Sequence, residues 1–182
     1  HKLPAYFVDF ESVMFAVPIW KGTRPYQNIP FQFSVHRLSR TGKLHQQAFL
    51  DLKGSDPSKA FAEALIGACG NRGAIFVYNA SFEKARIKEL AQRFPRLATA
   101  LLALNERVVD LLTIARQHYY HPDQRGSWSL KAVLPTLGRK TGYDALDGVK
   151  NGGMAMRAYA EAIAPQTSAA RKAVIEQELL DY

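Results

Sequence analysis

A short apolar segment near the start of the chain leads directly into two carboxylates. Residues 5–8 are followed by Asp9 and Glu11, with Phe10 between them. Alternate side chains of a strand point to the same face, so a strand here places the two acids side by side and turns Val8 and Phe10 toward a core. Neighbouring carboxylates repel each other unless a cation lies between them, and Mg²⁺ and Mn²⁺ prefer such oxygen ligands. The pattern therefore predicts either a metal site or a solvated strand edge, which often carries Asp-x-Glu.

A second strand is followed by an acid in the same way. Residues 74–78 form an apolar run, and Asn79 or Ser81 is placed to cap the helix that follows. Glu83 then lies in the first helical turn, where the helix dipole favours an anion. An acid that only complements the dipole is common, but it does not explain why strand and acid occur together twice. We therefore expect Glu83 to converge on the acids of the first strand.

These two segments resemble the first two motifs of the DnaQ-like, or DEDD, 3′–5′ exonucleases, a superfamily with the ribonuclease H-like fold. That family has Asp-x-Glu on its first strand and Asn-x-x-Phe-Asp at a later turn from strand to helix. The matching strings here are Asp9-Phe10-Glu11 and Asn79-Ala80-Ser81-Phe82-Glu83, in which Glu83 replaces the aspartate of most members. Segments 108–116 and 127–133 match the family's layout, and strings at 22–32, 78–84 and 118–123 resemble an uncharacterised bacterial branch of it.

The resemblance implies a function and a role for each acid. Asp9 would bridge two Mg²⁺ or Mn²⁺ ions, and Glu11 and Glu83 would each help to hold one of them, in a site that hydrolyses single-stranded DNA or RNA from the 3′ end. Tyr182 would orient the attacking water. The family's fourth acid follows such a tyrosine by four residues, and the chain stops at Tyr182. We therefore expect a fragment cut inside its third motif, which by itself holds metal weakly and has little or no nuclease activity.

Further side chains are candidates for contacts with the nucleic acid. Phe10, Tyr26, Phe82 and Trp128 could stack on the terminal base or ribose. Burial in the core is the default for an aromatic residue, and only for Tyr26 do we favour substrate contact. Asn79 belongs to the second motif, and Lys131 could touch a phosphate, although a solvated helix face explains a lysine equally well. Asp110, at a strand end, either supports the metal ligands or, more simply, caps the next helix.

Composition and charge limit the class of protein. The 182 residues are 47% hydrophobic, enough for one compact domain with its own core, and the net charge of +8 indicates a polyanionic partner. The single cysteine, Cys69, excludes an internal disulfide and fits a reducing compartment. No signal peptide or membrane span is visible in the sequence. We therefore expect a cytoplasmic protein that makes no use of a membrane. The resemblance implies that its polyanionic partner is single-stranded nucleic acid, and the two ends of the chain lead us to expect further domains in the same polypeptide.

The order of strands and helices predicts the fold class. Three strands come first, within residues 5–52, and helices and strands then alternate from residue 57 onward. This order predicts an α/β protein with a mixed central sheet flanked by helices, in which the first three strands are antiparallel and the later ones parallel. The resemblance refines the prediction to a ribonuclease H-like fold and to one exonuclease-like domain over residues 1–182.

Two other functions remain open. A catalytically decayed domain that binds nucleic acid or acts as a scaffold would keep this fold, and Glu83 and the missing fourth acid favour it. A metal-dependent nuclease of related fold that cuts internally, such as an RNase H or a resolvase, is a further alternative. Those enzymes lack the Asn-x-x-Phe-acid string, which makes the exonuclease the preferred interpretation.

Overall fold

A computed structural model describes residues 3–138 and 148–182. Its strands and helices are, in chain order, β1 (Ala5–Val13), β2 (Ile29–Leu38), β3 (Leu44–Leu50), α1 (Ser58–Cys69), β4 (Ile75–Val77), α2 (Ser81–Arg93), α3 (Ala98–Glu106), β5 (Val108–Asp110), α4 (Leu111–His118), α5 (Leu130–Thr136), α6 (Gly152–Ile163) and α7 (Ala169–Asp181). Short 3₁₀ turns at Pro95–Leu97 and Pro122–Gln124 complete the list.

The strands form one five-stranded mixed sheet in the order β3-β2-β1-β4-β5. β2 is antiparallel to both β1 and β3, whereas β4 runs parallel to β1 and β5 parallel to β4. The predicted α/β class, with three antiparallel strands followed by parallel ones, is therefore confirmed. β1 is the central strand, with Tyr6, Val8 and Phe10 buried on one face, whereas Phe7 and Asp9 on the other face are exposed.

The first face of the sheet packs against α1, α2 and α3. Tyr6, Val8 and Phe10 of β1 belong to this core. The ring of Phe61 in α1 meets Phe10 edge-on at 5.0 Å and Phe33 at 5.2 Å between centroids. Such edge-to-face pairs are favourable because the positive edge of one ring meets the negative face of the other. This packing turns the opposite face of β1, which carries the acids, away from these helices.

The second face carries a separate core under α6 and α7. Phe31 of β2 stacks on Tyr159 of α6 with ring centroids 4.0 Å apart, and Leu179 of α7 is fully buried beside them. The side-chain amide of Gln32 donates a hydrogen bond to the carbonyl of Leu179. A register shift between Glu11 and Ser12 marks a β-bulge where β1 enters this core. The C-terminal end of α7 is thereby held beside the end of β1.

Arg107 ties the loop between α1 and β4 in place. Its guanidinium donates hydrogen bonds to four backbone carbonyls, those of Cys69, Gly70, Arg72 and Gly73, at 2.6–2.9 Å. Gly73 has φ +95°, and a Cβ there would lie 2.0 Å from the carbonyl oxygen of Pro4. Only glycine fits so close an approach. The loop therefore brings β4, and with it α2, next to β1.

Within residues 3–138 and 148–182, no helix has both the length and the apolar character needed to cross a bilayer.

Candidate functional site

The two acids of β1 lie on the face of the sheet opposite the first core. Asp9 is opposite Ser34 of β2 in the strand register, and Glu11 is opposite Gln32. Phe10, between them, is 5% exposed and points into the core. The strand alternation therefore places the acids as the sequence indicates, and Phe10 is unable to stack on a nucleotide. The prediction of Phe10 as a substrate contact was wrong, because its ring is enclosed by Phe61 and its neighbours.

Glu83 is buried in the first turn of α2, close to the β1 acids. Its side chain is 3% exposed, and its Oε2 atom has no hydrogen-bond partner among the described residues. Burial is the main cause that raises the pKa of Glu83 to about 7; a hydrogen bond from its own backbone lowers the pKa, and the negative charges of Asp9, Asp110 and Glu11 contribute to the rise. The structure thus brings Glu83 within electrostatic reach of Asp9, although 74 positions separate them in the chain.

The β1 acids also resist ionisation. Burial and the charge of Asp9 raise the pKa of Glu11 to about 7, whereas a hydrogen bond from the Tyr182 side chain lowers it. Burial raises the pKa of Asp9 as well, and the backbone N–H of Phe10, 3.1 Å from Oδ1, opposes the rise. The pKa of each of the three carboxyl groups is therefore raised above its ordinary value when no cation compensates the charge.

No cation neutralises these acids within the described ranges. None of the ion pairs formed by residues 3–138 and 148–182 includes Asp9, Glu11 or Glu83. In the same residues, no group of three or more His, Cys, Asp or Glu side chains is arranged so that it could hold a metal ion. The three acids are therefore neighbours, but their side chains do not adopt the spacing of an assembled metal centre.

Tyr182 and Gly152 adjoin the carboxylate of Glu11 from the helical layer. The Tyr182 side chain donates a hydrogen bond to Glu11, and a Cβ added at Gly152 would lie 3.3 Å from Glu11 Oε2. In the sequence, Asn151-Gly152-Gly153 has the composition of a break, but the structure begins α6 at Gly152 with Asn151 as its side-chain N-cap. Sequence reasoning missed Gly152, and the small residue at a helix start was the one available signal.

Asp110 joins the turn after β4 to the start of α4. Its Oδ1 accepts hydrogen bonds from the N–H of Leu112 at 2.9 Å and of Asn79 at 3.1 Å. The first bond is the predicted N-cap, and the second fixes a turn in which Asn79 adopts φ +71°. The N-cap residue of α2 is Ala80, so the prediction that Asn79 or Ser81 caps this helix was wrong. The amide oxygen of Asn79 instead accepts from Ser81 Oγ at 3.0 Å.

The remaining predicted substrate contacts have other partners or lie elsewhere. Phe82 packs partly against the first core, with the Arg86 guanidinium 5.3 Å from its ring centroid. The carbonyl of Trp128 accepts from Tyr78 Oη at 2.5 Å. Lys131 is exposed and donates from Nζ to the carbonyl of Lys150 at 2.5 Å.

Tyr26 is 69% exposed in the loop between β1 and β2. Its side chain is not part of the two surface clefts, described below, that Asp9 helps to line. The nearby Arg24 instead pairs with Glu89 of α2 at 4.0 Å. The loop thus lies along the side of α2, and its contact with a substrate stays a prediction.

Two clefts meet at Asp9 on the acid-bearing face. The first, called here the acid cleft, has a volume of about 240 Å³ and is lined by Asp9, Glu11, Ser34, His36 and Gln46 among others, with residues 180–182 as one wall. The second, the apolar cleft, has about 190 Å³ and includes Phe7, Phe76, Leu111 and Leu130. Both share Asp9, Ser34 and His36. Neither contains a Lys or Arg among its described lining residues, so the Lys and Arg side chains of residues 3–138 and 148–182 lie outside them.

The fold and the site define an α/β protein whose central strand carries two carboxylates, without ion-pair partners among the described residues, at the meeting point of two clefts. The chain belongs to the family described as Domain of unknown function (DUF2779), whose model matches residues 6–129, more than half of the chain. The matched part includes Asp9, Glu11, Glu83 and Asp110. A comparison with curated proteins finds no match.

Proposed function

We propose that this domain belongs to a metal-dependent 3′–5′ exonuclease that acts on the ends of single-stranded nucleic acid. The strand order and directions agree with the ribonuclease H-like fold that the motif resemblance implies. From the two together we infer that fold for the whole domain. A cytoplasmic location and a single-stranded DNA or RNA substrate are parts of the same proposal.

The observation that supports this function most is a group of neighbouring acids without a cation, of which Glu83 is buried and Glu11 is half-buried. Ionising several neighbouring carboxylates in a partly dehydrated site is unfavourable unless a positive charge compensates them. The pKa values near 7 of Glu11 and Glu83, and the unpaired Oε2 of Glu83, describe such an uncompensated site. The donor atoms, all carboxylate oxygens, fit a hard divalent cation in their chemistry.

Asp9, Glu11 and Glu83 would hold the metal, and the neighbouring residues would orient them. Bound divalent ions would supply Lewis-acid stabilisation of the phosphodiester and an activated water for in-line displacement. The hydroxyl of Tyr182 holds one orientation of the Glu11 carboxylate, and in the proposal it also orients the water. Asp110 fixes the turn from which α2 carries Glu83 toward β1. The two clefts meet at Asp9, and in the proposal they receive the terminal nucleotides of the strand.

The test is a nuclease assay with the natural polypeptide that carries this domain. With Mn²⁺ and single strands labelled at either end, we expect stepwise release of mononucleotides from the 3′ end. Asp9→Ala and Glu11→Ala should abolish release, whereas binding of the strand without metal should largely survive. Glu106→Ala, at an exposed position on α3, is the matched control and should retain activity. Products released from the 5′ end, cleavage of closed circular DNA or full activity of Asp9→Ala would each refute the exonuclease.

A second candidate is a domain that binds nucleic acid or acts as a scaffold without catalysis. It is favoured by one observation: no three acidic or histidine groups of the described residues are arranged to hold a metal. Calorimetric titration with Mn²⁺ separates the two. Binding that Asp9→Asn and Glu83→Gln both weaken supports the enzyme, whereas heat changes equal to those of buffer support the binding domain.

A further inference from the structure

The hairpin of β2 and β3 carries only positive charge. Positions 12–50 contain five Lys or Arg residues and no Asp or Glu. Three of those cations, Arg37, Arg40 and Lys43, lie at the end of β2 or in the turn before β3. β3 is the edge strand of the sheet, and residues 44–48 of it are exposed. The hairpin is therefore a cationic projection at one edge of the domain.

A groove of about 470 Å³ lies between this hairpin and the end of α1. Arg37 and His45, which are directly opposite in the antiparallel register, line it together with Gln47. Arg37 is also opposite Tyr6, a residue of the first core, so this row of side chains lies on the face that carries that core. None of the described lining residues is acidic. The name basic groove is used for it below.

The basic groove and the acid cleft are separated by the edge strand alone. Gln46 of β3 lines both of them. The acids are on β1, two strands away from β3, which corresponds to about 10 Å across the sheet. A few nucleotides therefore suffice to connect the two sites across the edge of the sheet.

We propose that the basic groove binds the phosphate backbone of a single-stranded nucleic acid whose 3′ end lies in the acid cleft. The inference rests on the proposed function for the identity of the polyanion and for its polarity. Because the acid cleft has no Lys or Arg among its described lining residues, it repels phosphates until a metal is bound, so metal-free binding needs a cationic site elsewhere. The groove supplies one, and its neutral Gln46 and Gln47 amides can donate to phosphate or sugar oxygens.

The contact predicts a salt-dependent effect of removing the Arg37 charge. In EDTA, Arg37→Gln should lower the affinity for a single strand of about 15 nucleotides, measured by fluorescence anisotropy, because without metal the groove supplies the phosphate contacts. The slope of log affinity against log salt should decrease by about 0.7 for the lost phosphate contact. Between about 50 and 200 mM salt, the variant should therefore lose about threefold less affinity than the wild type. His45→Gln should also lower the affinity for the strand of about 15 nucleotides.

Arg157→Gln is the matched control, since it removes the same charge from an exposed position of α6, on the other side of the sheet. Arg37→Lys keeps the charge and should retain the salt slope, which separates loss of charge from loss of folding. Equal weakening by Arg157→Gln and Arg37→Gln, or no weakening by Arg37→Gln, would overturn the proposal. So would Arg37-dependent binding of anionic vesicles or of polyglutamate by a protein that does not bind single strands.

The outcomes for groove and function are distinguishable. A protein without nuclease activity whose Arg37 governs binding of long strands would retain the groove and refute the enzyme. An active nuclease whose long-strand affinity does not depend on Arg37 would refute the groove alone.

Discussion

The substitution Glu83→Gln tests the electrostatics of the site through stability alone. Glu83 is buried, and its pKa rises from 4.5 to about 7 on folding. Between these pH values the folded protein binds more protons than the unfolded chain, so its stability falls as the pH rises from about 4.5 to about 7. At 1.36 kcal/mol per pKa unit, this carboxyl group costs about 3 kcal/mol above pH 8, and nothing below pH 4.

Glutamine has nearly the same shape but does not ionise. Its amide nitrogen would occupy the position of an Oε2 atom that has no partner, which costs about 1 kcal/mol at every pH. That cost cancels when two pH values are compared. In metal-free solution, the stability of the variant minus that of the wild type should therefore rise by about 3 kcal/mol between pH 4 and pH 8.5.

Urea denaturation in EDTA at a series of pH values measures this difference. Glu106→Gln, which alters an exposed carboxylate at the end of α3, is the control and should not reproduce the divergence. At pH 8 in metal-free solution the variant should be more stable than the wild type. Saturating Mn²⁺ should make the wild type the more stable of the two, since it would bind the ion more tightly. A stability difference between Glu83→Gln and the wild type that does not change with pH would refute the argument that Glu83 is an uncompensated buried acid.

Three further substitutions examine the surroundings of the acids. Asp110→Ala removes an N-cap and the bond to the Asn79 turn, and should lower the free energy of unfolding by about 1–2 kcal/mol in urea denaturation. Gly152→Ala places a methyl group against Glu11, so calorimetry should show weaker Mn²⁺ binding without loss of stability, as alanine favours a helix. Tyr182→Phe removes a hydrogen bond that lowers the pKa of Glu11, and NMR titration should find that pKa above its wild-type value of about 7.

Local periodicity determined much of the site. The two-residue repeat of a strand places Asp9 and Glu11 on one face and Phe10 on the other, whatever the rest of the chain does. Glu83 likewise lies in the first turn of α2 because the helix begins directly after β4. These are consequences of backbone geometry over a few residues, so the sequence was sufficient to predict them. The order of the strands similarly predicted the mixed sheet.

Tertiary packing decided what these side chains meet. The side chain of Asp110 accepts a hydrogen bond from the N–H of Asn79, 31 positions away in the chain. This bond fixes the turn before α2, and Ala80 is the N-cap residue of that helix. Gly152 lies against Glu11 only because α6 packs on the second face of the sheet. Gln46 lines both the acid cleft and the basic groove only because β3 is the edge strand of the sheet. Such contacts join residues far apart in the chain, and their free energies depend on burial and shape at the point of contact. A local sequence pattern does not contain the burial or the shape at a distant point of contact, so only the folded structure determines these contacts.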